Sequence, residues 1–498
     1  MGTVAGDLPK KIVQKCADIL AIPASIIFNQ ITRTSTYPQK WKTEQQVAIP
    51  KKFPPENEDD LRNIAKTPFL SKVYESFLAS WLLDIIEPYL DPDQCGLKGS
   101  SISHYLIKLL HFIHSTLDMK NPHAVLTAYV DLSKAFNRVD HTLLIQDLYD
   151  MHTPSWLLKI IVSYLSGRTM VLTFNGAQSS LKELPAGSPQ GALLGGLVFM
   201  IKFNGVFLRP SIPRPSNLSN VKSIHVKYVD DGAVAVQVDL KTYLARDHAT
   251  RPYPLTFREL TGHVLPCENN LLQHYIYDAQ EFTKANNMVI NKAKTNLMLF
   301  SKSRKFDFPP EVYFDDGTKV EVVSEQTLLG VIITDDLKWA KNTNFICLKA
   351  RRKLWVLRRM MSLDLDLNQL FDVYKKEIRS ILEYAVPVWH SSITMKQSAQ
   401  IESIQKLAFR IILKEKFTTY RSACNLFQTE TLRNRRLKIC HRFALKNLNS
   451  SNSLFSIAAT DPRLRQRSAK VQNYKCNTKR YQKSSLPFLA NLINSSAT

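Results

Sequence analysis

A short strand-forming run, Ala124 to Val130, ends abruptly in the carboxylate of Asp131. Further along, a period-two alternation sets Ile224, Val226 and Tyr228 to one side, breaks at Asp230-Asp231-Gly232, and resumes at Ala233 to Val236. The alternation predicts a β-hairpin with the acidic pair at its turn, and the apolar run predicts a buried strand. A carboxylate at the edge of a buried strand loses hydration and repels acidic neighbours unless a cation compensates. Mg²⁺ is the natural cation for such a place, because it takes hard oxygen ligands and leaves positions for water and phosphate. Two such ions, roughly 3.5–4 Å apart, support in-line phosphoryl transfer. Asp-Asp before Gly is also an ordinary solvated turn. Asp315-Asp316-Gly317 and Asp335-Asp336 are read that way.

The wider composition narrows the partner. Lys and Arg number 66 against 43 Asp and Glu, a formal charge of +23, which favours a polyanion and nucleic acid first. With 498 residues and 44% hydrophobic content, the chain is expected to fold as two to four domains. The seven cysteines show no C-x-x-C spacing and read as free thiols rather than a zinc module. No secretory signal opens the chain, and its longest apolar stretch, Leu193 to Ile201, is too short to cross a bilayer. The expectation is a soluble intracellular protein without a membrane partner, its compartment (nucleus or cytoplasm) undecided.

Residues 1–115 read as mostly helical, with Lys10 to Leu20 and Pro68 to Ile86 separated by a loop at Pro50 to Asp60. Asp140 is a plausible N-cap for a helix over His141 to Tyr149. Residues 205–220 and 240–270 look like surface insertions. Beyond Asn344 the chain is helical and basic: Lys349, Arg351, Arg352, Lys353, Arg358 and Arg359 crowd one segment, and Ile401, Ile404, Ala408 and Ile411 form an apolar stripe. Residues 462–486 are basic and poor in apolar residues, and are expected to order only on binding. There is no internal repeat.

Between the two acidic places lies Gly187-Ser188-Pro189-Gln190-Gly191, followed by Ala192-Leu193-Leu194-Gly195. Alone it is a turn that enters a core helix. In the order strand-Asp, Pro-Gln-Gly, Tyr-Val-Asp-Asp, the set resembles the reverse transcriptases, most closely those of non-LTR (LINE-type, jockey-like) retrotransposons. The likeness extends over Tyr37 to Lys42, Val47 to Lys51, Asp60 to Ile64 and Leu70 to Glu75. It continues through Asp131 to His141, Asn291 to Thr295, Leu329 to Val331, Ile381 to Tyr384, Trp389-His390 and Ile404 to Leu407.

The resemblance implies an α+β right-hand polymerase with fingers, a palm built on an antiparallel sheet, and a helical thumb. It divides the chain into 1–120 (fingers and N-terminal region), 121–335 (palm with interleaved fingers segments and the insertions), 336–420 (thumb) and 421–498 (a basic C-terminal region). The implied activity is RNA-directed DNA synthesis, with an RNA template, a DNA primer and dNTPs as partners. Endonuclease or other retroelement proteins join that set. Asp131, Asp230 and Asp231 would hold two Mg²⁺ ions, with Mn²⁺ as the substitute. Lys51 and Arg62 would clamp the triphosphate; Gln190, Gly191 and Tyr228 would contact substrate. Phe136 matches the ring that collides with a ribose 2′-hydroxyl, and Lys294 would pass a proton to pyrophosphate. Lone lysines and arginines are more often solvated surface charges. Asn137, Gly196 and Asn204-Gly205 depart from common family residues, but no implied metal ligand is missing. With no nuclease segment or cysteine knuckle recognised, the chain is expected to be a polymerase portion, such as a truncated element's remnant. The competing readings are an RNA-copying RNA polymerase, which Phe136 opposes, an intron maturase, and an inactive relic that only binds nucleic acid.

Overall fold

The computed structural model describes residues 7, 9–51, 54–97, 99–121, 123–208, 218, 220–239, 270–302, 311–448, 450, 453–456 and 471–495. The expected insertions at 205–220 and 240–270 lie largely outside the described residues.

The β-branched and aromatic residues of 123–130 and 223–239 do what alternation requires and pair into one sheet. Five strands form it: β3 (His123–Val130), β5 (Ser223–Tyr228), β6 (Asp231–Asp239), β7 (Asn296–Ser301) and the two-residue β8 (Glu321–Val322), in the order β8-β7-β3-β6-β5. All neighbours run antiparallel except β8, which is parallel to β7. A second sheet is built on β1 (Thr43–Pro50), β2 (Leu61–Lys66) and β4 (Thr169–Phe174), with β1 antiparallel to β2 and parallel to β4. Residues 1–115 are mostly helical, as expected, with the unexpected strands β1 and β2 between the helices. The ladder from Gln45↔Lys66 to Pro50↔Leu61 brackets the expected loop.

The central sheet has two dry faces because its side chains alternate. Leu126, Ala128, Val130, Val234, Val236 and Leu297 face one core, shared with α2 (Phe69–Ile86), α4 (His141–Asp150), α5 (Ser155–Leu165), α6 (Leu193–Lys202) and α7 (Leu271–Ala285). Val125, Tyr129, Ala233, Ala235 and Met298 face the other, shared with α3 (Ile102–Leu117) and the C-terminal helices. Asp140 caps α4 as expected, accepting N–H bonds from Thr142 and Leu143. Gly196 faces open space and α6 runs through it unbroken, while Gly205 lies where a Cβ would press on the Phe282 ring.

The basic segment is α8 (Ala340–Met360), and the apolar stripe lies on α9 (Met395–Leu413), with Ile401, Ile404 and Ala408 buried. Each such isoleucine, fully buried, contributes about 1.5–3 kcal/mol. Their core extends without a break into α10 (Leu432–Leu448) and α11 (Ser485–Ser495). A hairpin of β9 (Glu325–Leu328) and β10 (Val331–Thr334) turns at Leu329-Gly330, and the Tyr384 hydroxyl donates to Leu329 O at 2.6 Å. Two segments quoted for the resemblance are thereby joined. Asp315-Asp316-Gly317 and Asp336 are turn residues, as expected, paired with Lys292 and Lys338 respectively.

The C-terminal stretch differs from expectation. Residues 457–470 lie outside the described residues, but 471–486 are packed against α3. Asp118 accepts from Asn477 N at 2.6 Å and Thr478 Oγ1 at 2.5 Å, while His111 meets the rings of Tyr474 and Tyr481 at 5.1 and 5.7 Å. Val471, Tyr481, Leu486 and Leu489 supply the apolar contacts that a composition average hides.

Burial lowers His111 to about 4. Burial, followed by Arg480, His111 and Lys302, lowers His114 to about 4 against the pull of Asp118. Both rings lie on α3 and must be neutral under the docked tail, so opening the tail lets α3 take up protons. Docking is fully favoured above the ordinary histidine value near 6.5 and weakens as pH falls toward 4. Hydrogen exchange should therefore show the opening free energy of 471–495 dropping between pH 7 and pH 5 before that of the central sheet. Equal opening energies at both pH values would disprove the coupling.

Candidate active site

β3 leaves the sheet at Val130, opposite Gly232 of β6. One residue further along this register, Asp131 comes opposite Asp231, the first residue of β6. Odd positions on both strands, Tyr129 and Ala233 among them, face α3, so Asp131 and Asp231 leave the same face of the sheet. Asp230 occupies the two-residue turn Val229-Asp230 between the paired Tyr228 and Asp231. Three carboxylates thus converge at one end of the sheet.

Their electrostatics record the crowding. Burial raises the Asp230 carboxyl, and the Asp131 charge adds to this against a backbone N–H, Arg62 and Lys294. Burial pushes Asp231 up to about 6, with the charges of Asp230 and Asp131 adding and Arg62 and Lys294 opposing. Asp131 Oδ2 is buried without a hydrogen-bond partner, and Lys294 Nζ pairs with it at 3.4 Å. Lys294 is otherwise 65% exposed, so this is a loosely held counter-charge. The Tyr105 hydroxyl of α3, buried and likewise without a partner, is raised by burial and then by the Asp231 charge.

The backbone under Asp131 is held from one side. Asn291 N donates to Asp131 O at 2.8 Å, Asp131 N donates to Thr295 Oγ1 at 3.3 Å, and Ser133 N donates to Val289 O. The segment 289–295 therefore carries both the anchor and Lys294.

The Pro-Gln-Gly segment meets this site from the other side. Ser188 N donates to Phe136 O and Gly187 N to Val139 O, each at 2.8 Å, and a Cβ on Gly187 would come within 3.0 Å of the Asn137 backbone. Phe136 is half-buried and stacks on Phe199 of α6, centroids 4.8 Å apart. Gln190 O accepts from Ala65 N of β2 at 2.9 Å, which ties the turn to the second sheet. Gly191 follows at φ +110°, with Ala65 O 3.3 Å from where its Cβ would be. Arg62 lies on β2 opposite Ile49, exposed, and Lys51 follows β1 with its N–H bonded to Asp60 O. Arg62 is coupled to the acidic pair through its charge, and Tyr228 is half-buried at the end of β5.

Several residues here carried no sequence signal. Gln94 is buried and bonded to the turn residue Val229, 135 positions away. Glu75 is buried in α2, accepts from Ser71 Oγ at 3.0 Å and from the backbone of Leu194, and so holds the start of α6. Burial raises its carboxyl. Asp91, Asp93 and His225 place ligand atoms within 4.8 Å of one another. Ammonium groups already occupy that position: Lys227 lies 2.5 Å from Asp91 and Lys108 2.7 Å from Asp93. Burial opposes the charge on Asp91, yet the His225 and Lys227 bonds hold its carboxyl well below the usual range. This cluster is a buried ion pair tying β5 to the 91–95 segment.

The donor set at the sheet end fits a hard divalent cation: carboxylate oxygens alone, one of them orphaned, with loosely held lysine and arginine as the opposing charge. The model described as Reverse transcriptase (RNA-dependent DNA polymerase) matches residues 49–333, more than half of the chain. The chain belongs to the reverse transcriptase family. It has the α+β right-hand fold of that family, and the matched span holds Asp131, Asp230 and Asp231.

Among relatives of this reverse transcriptase, the chain is 26% identical over 438 residues to the probable RNA-directed DNA polymerase from transposon X-element of Drosophila melanogaster, covering 86% of this chain and 43% of the relative. It is 24% identical over 391 residues to the RNA-directed DNA polymerase from mobile element jockey of Drosophila funebris, covering 77% and 39%. The resemblance to jockey-like non-LTR elements is thus borne out, and the chain spans less than half the length of these curated relatives. Among solved structures, a Candida tropicalis telomerase in complex with a telomeric RNA fragment aligns over 95% of this chain and 64% of its own, at 12% identity and a TM-score of 0.41. Among the described residues, no helix is long and apolar enough to cross a membrane, and the six described cysteines are free.

Removing one of the crowded charges should stabilise the metal-free protein. In chelator at pH 7.5, Asp231→Asn is expected to raise the unfolding temperature by about 2–4 °C. A lowered temperature would mean that the three carboxylates are not in conflict.

Proposed function

We propose that the chain is an RNA-directed DNA polymerase of a non-LTR retrotransposon, adding dNTPs to a primer 3′-hydroxyl on an RNA template. The observation that carries this reading is the convergence of Asp131, Asp230 and Asp231 at one sheet end, with Asp131 Oδ2 accepting no hydrogen bond and met only by the exposed Lys294 at 3.4 Å. These three would hold two Mg²⁺ ions, with Mn²⁺ as a substitute. When bound, such a pair supplies activation of the attacking hydroxyl and stabilisation of the leaving oxygen.

The remaining residues take roles by placement. Arg62 on β2 and Lys51 just past the end of β1 would hold the triphosphate, the guanidinium as a fork and the ammonium as a point charge. Gln190 and Gly191, fastened to β2, would bring backbone against the nucleotide and template, and Tyr228 would floor the primer end. Phe136, braced on Phe199, would exclude a 2′-hydroxyl. Lys294, next to Asp131, would give a proton to pyrophosphate. We assign 1–120 to the fingers and N-terminal region, 121–335 to the palm with its interleaved segments, 336–420 to the thumb and 421–498 to the C-terminal region. On α8, exposed Phe345, Leu348 and Trp355 alternate with exposed Lys349, Arg351, Arg352, Arg358 and Arg359, a surface suited to a nucleic-acid backbone.

The test is primer extension on poly-rA with oligo-dT, dTTP and Mg²⁺. Extension is expected from the wild type and none from Asp230→Ala/Asp231→Ala; folded protein that binds primer-template but extends nothing would refute the assignment. In the same assay, on a template calling for other bases, Phe136→Ala should raise ribonucleotide incorporation relative to deoxynucleotide by about a hundred-fold or less, in line with a steric rather than hydrogen-bonding filter. An unchanged ratio would remove Phe136 from the sugar site.

A further inference from the structure

We infer that Gln94 is a positioning residue for the acidic turn: its side-chain amide holds the left-handed peptide of Val229 and so sets where Asp230 points. Val229 has φ +59°, a conformation that β-branched residues rarely adopt. Such a conformation persists only where the surroundings determine it. Here Gln94 Oε1 accepts the Val229 N–H at 3.0 Å, and Gln94 Nε2 donates to Val229 O at 3.5 Å. Oε1 is itself pinned, since it also accepts the Gly96 N–H at 3.0 Å. Gly96 lies beneath the Val229 side chain, where a Cβ would come within 3.0 Å of Val229 Cγ2 and Met200 Sδ. Gln94 is 1% exposed, so no water competes for the amide.

The frame that presents Gln94 does not depend on its side chain. Gln94 bridges Lys227 in parallel register, Lys227 N donates to Asp93 O at 3.0 Å, and Cys95 N donates to Lys227 O at 2.7 Å. The Asp91–Lys227 pair and the bonds from Lys227 Nζ to Asn204 O and Val206 O fasten the same edge. The segment 93–95 thus extends the central sheet beyond β5, with one side chain reaching over the end of the hairpin. Alanine at 94 removes both bonds to the turn and leaves this frame in place. Glycine at 229 adopts the left-handed conformation without help.

Because this role presupposes the polymerase site proposed above, the test carries a readout that needs no catalysis. In the full chain, Mn²⁺ binding is titrated by its EPR signal, and primer extension is measured beside the unfolding temperature. Gln94→Ala is expected to weaken Mn²⁺ binding and to lower kcat about ten- to a hundred-fold, with KM for primer-template within about two-fold of wild type. Adding Val229→Gly to Gln94→Ala should restore about ten-fold of the lost kcat, because the turn no longer needs the clamp. Wild-type Mn²⁺ affinity in Gln94→Ala, or a loss that follows the folded fraction and is not restored by Val229→Gly, overturns the role. A wild type that binds Mn²⁺ and extends no primer sinks the polymerase reading alone. Weaker Mn²⁺ binding by Gln94→Ala then still supports the positioning role, and equal binding overturns it. A wild type that binds no Mn²⁺ overturns both.

Discussion

Repulsion among three carboxylates governs this molecule's architecture. Asp131, Asp230 and Asp231 are brought together at the end of a buried sheet, where burial first and then the neighbouring carboxylates raise the carboxyls of Asp230 and Asp231. A fold does not place like charges together by accident of packing. It must hold them there with bonds that do not neutralise them. The bonds to Asp131 act on its backbone, through Asn291 and Thr295, and those to the turn act on Val229. The counter-charges, Lys294 and Arg62, come from exposed side chains that can move aside.

Compare another buried acidic group. Asp91 is also buried, yet Lys227 and His225 satisfy it at hydrogen-bond distance. Two buried acidic clusters a few residues apart on the same hairpin therefore have opposite fates. One is compensated by the protein and serves as a fastening. The other is met only by loosely held, exposed Lys294 and Arg62, and that is the mark of a place where something else supplies the positive charge.

What could be read from the amino acids follows the range of the forces involved. Local patterns sufficed for β3, the β5–β6 hairpin, the Asp140 cap and the turn at Asp315-Asp316-Gly317, because alternation and turn chemistry act over a few residues. The β1–β2 pair was missed: it depends on β4, more than a hundred residues away, and its polar Gln45-Gln46 obscures the alternation. Gln94 and Glu75 gave no local sign, since each is defined by a partner in another motif. The order of 471–486 was missed for a different reason. Its few apolar residues, Val471, Tyr481 and Leu486, are all buried, and a segment-wide average cannot register that.

The docking of that last segment has a genetic consequence. Asp118 and the His111 ring are finished by residues encoded more than 350 codons downstream. A nonsense or frameshift lesion in the final stretch would leave every carboxylate and every family motif in place. It would nonetheless strip the cover from α3, the helix against which the central sheet is packed. Intact motifs are then a poor guide to an intact fold, and residues 471–495 are as informative as the motifs themselves.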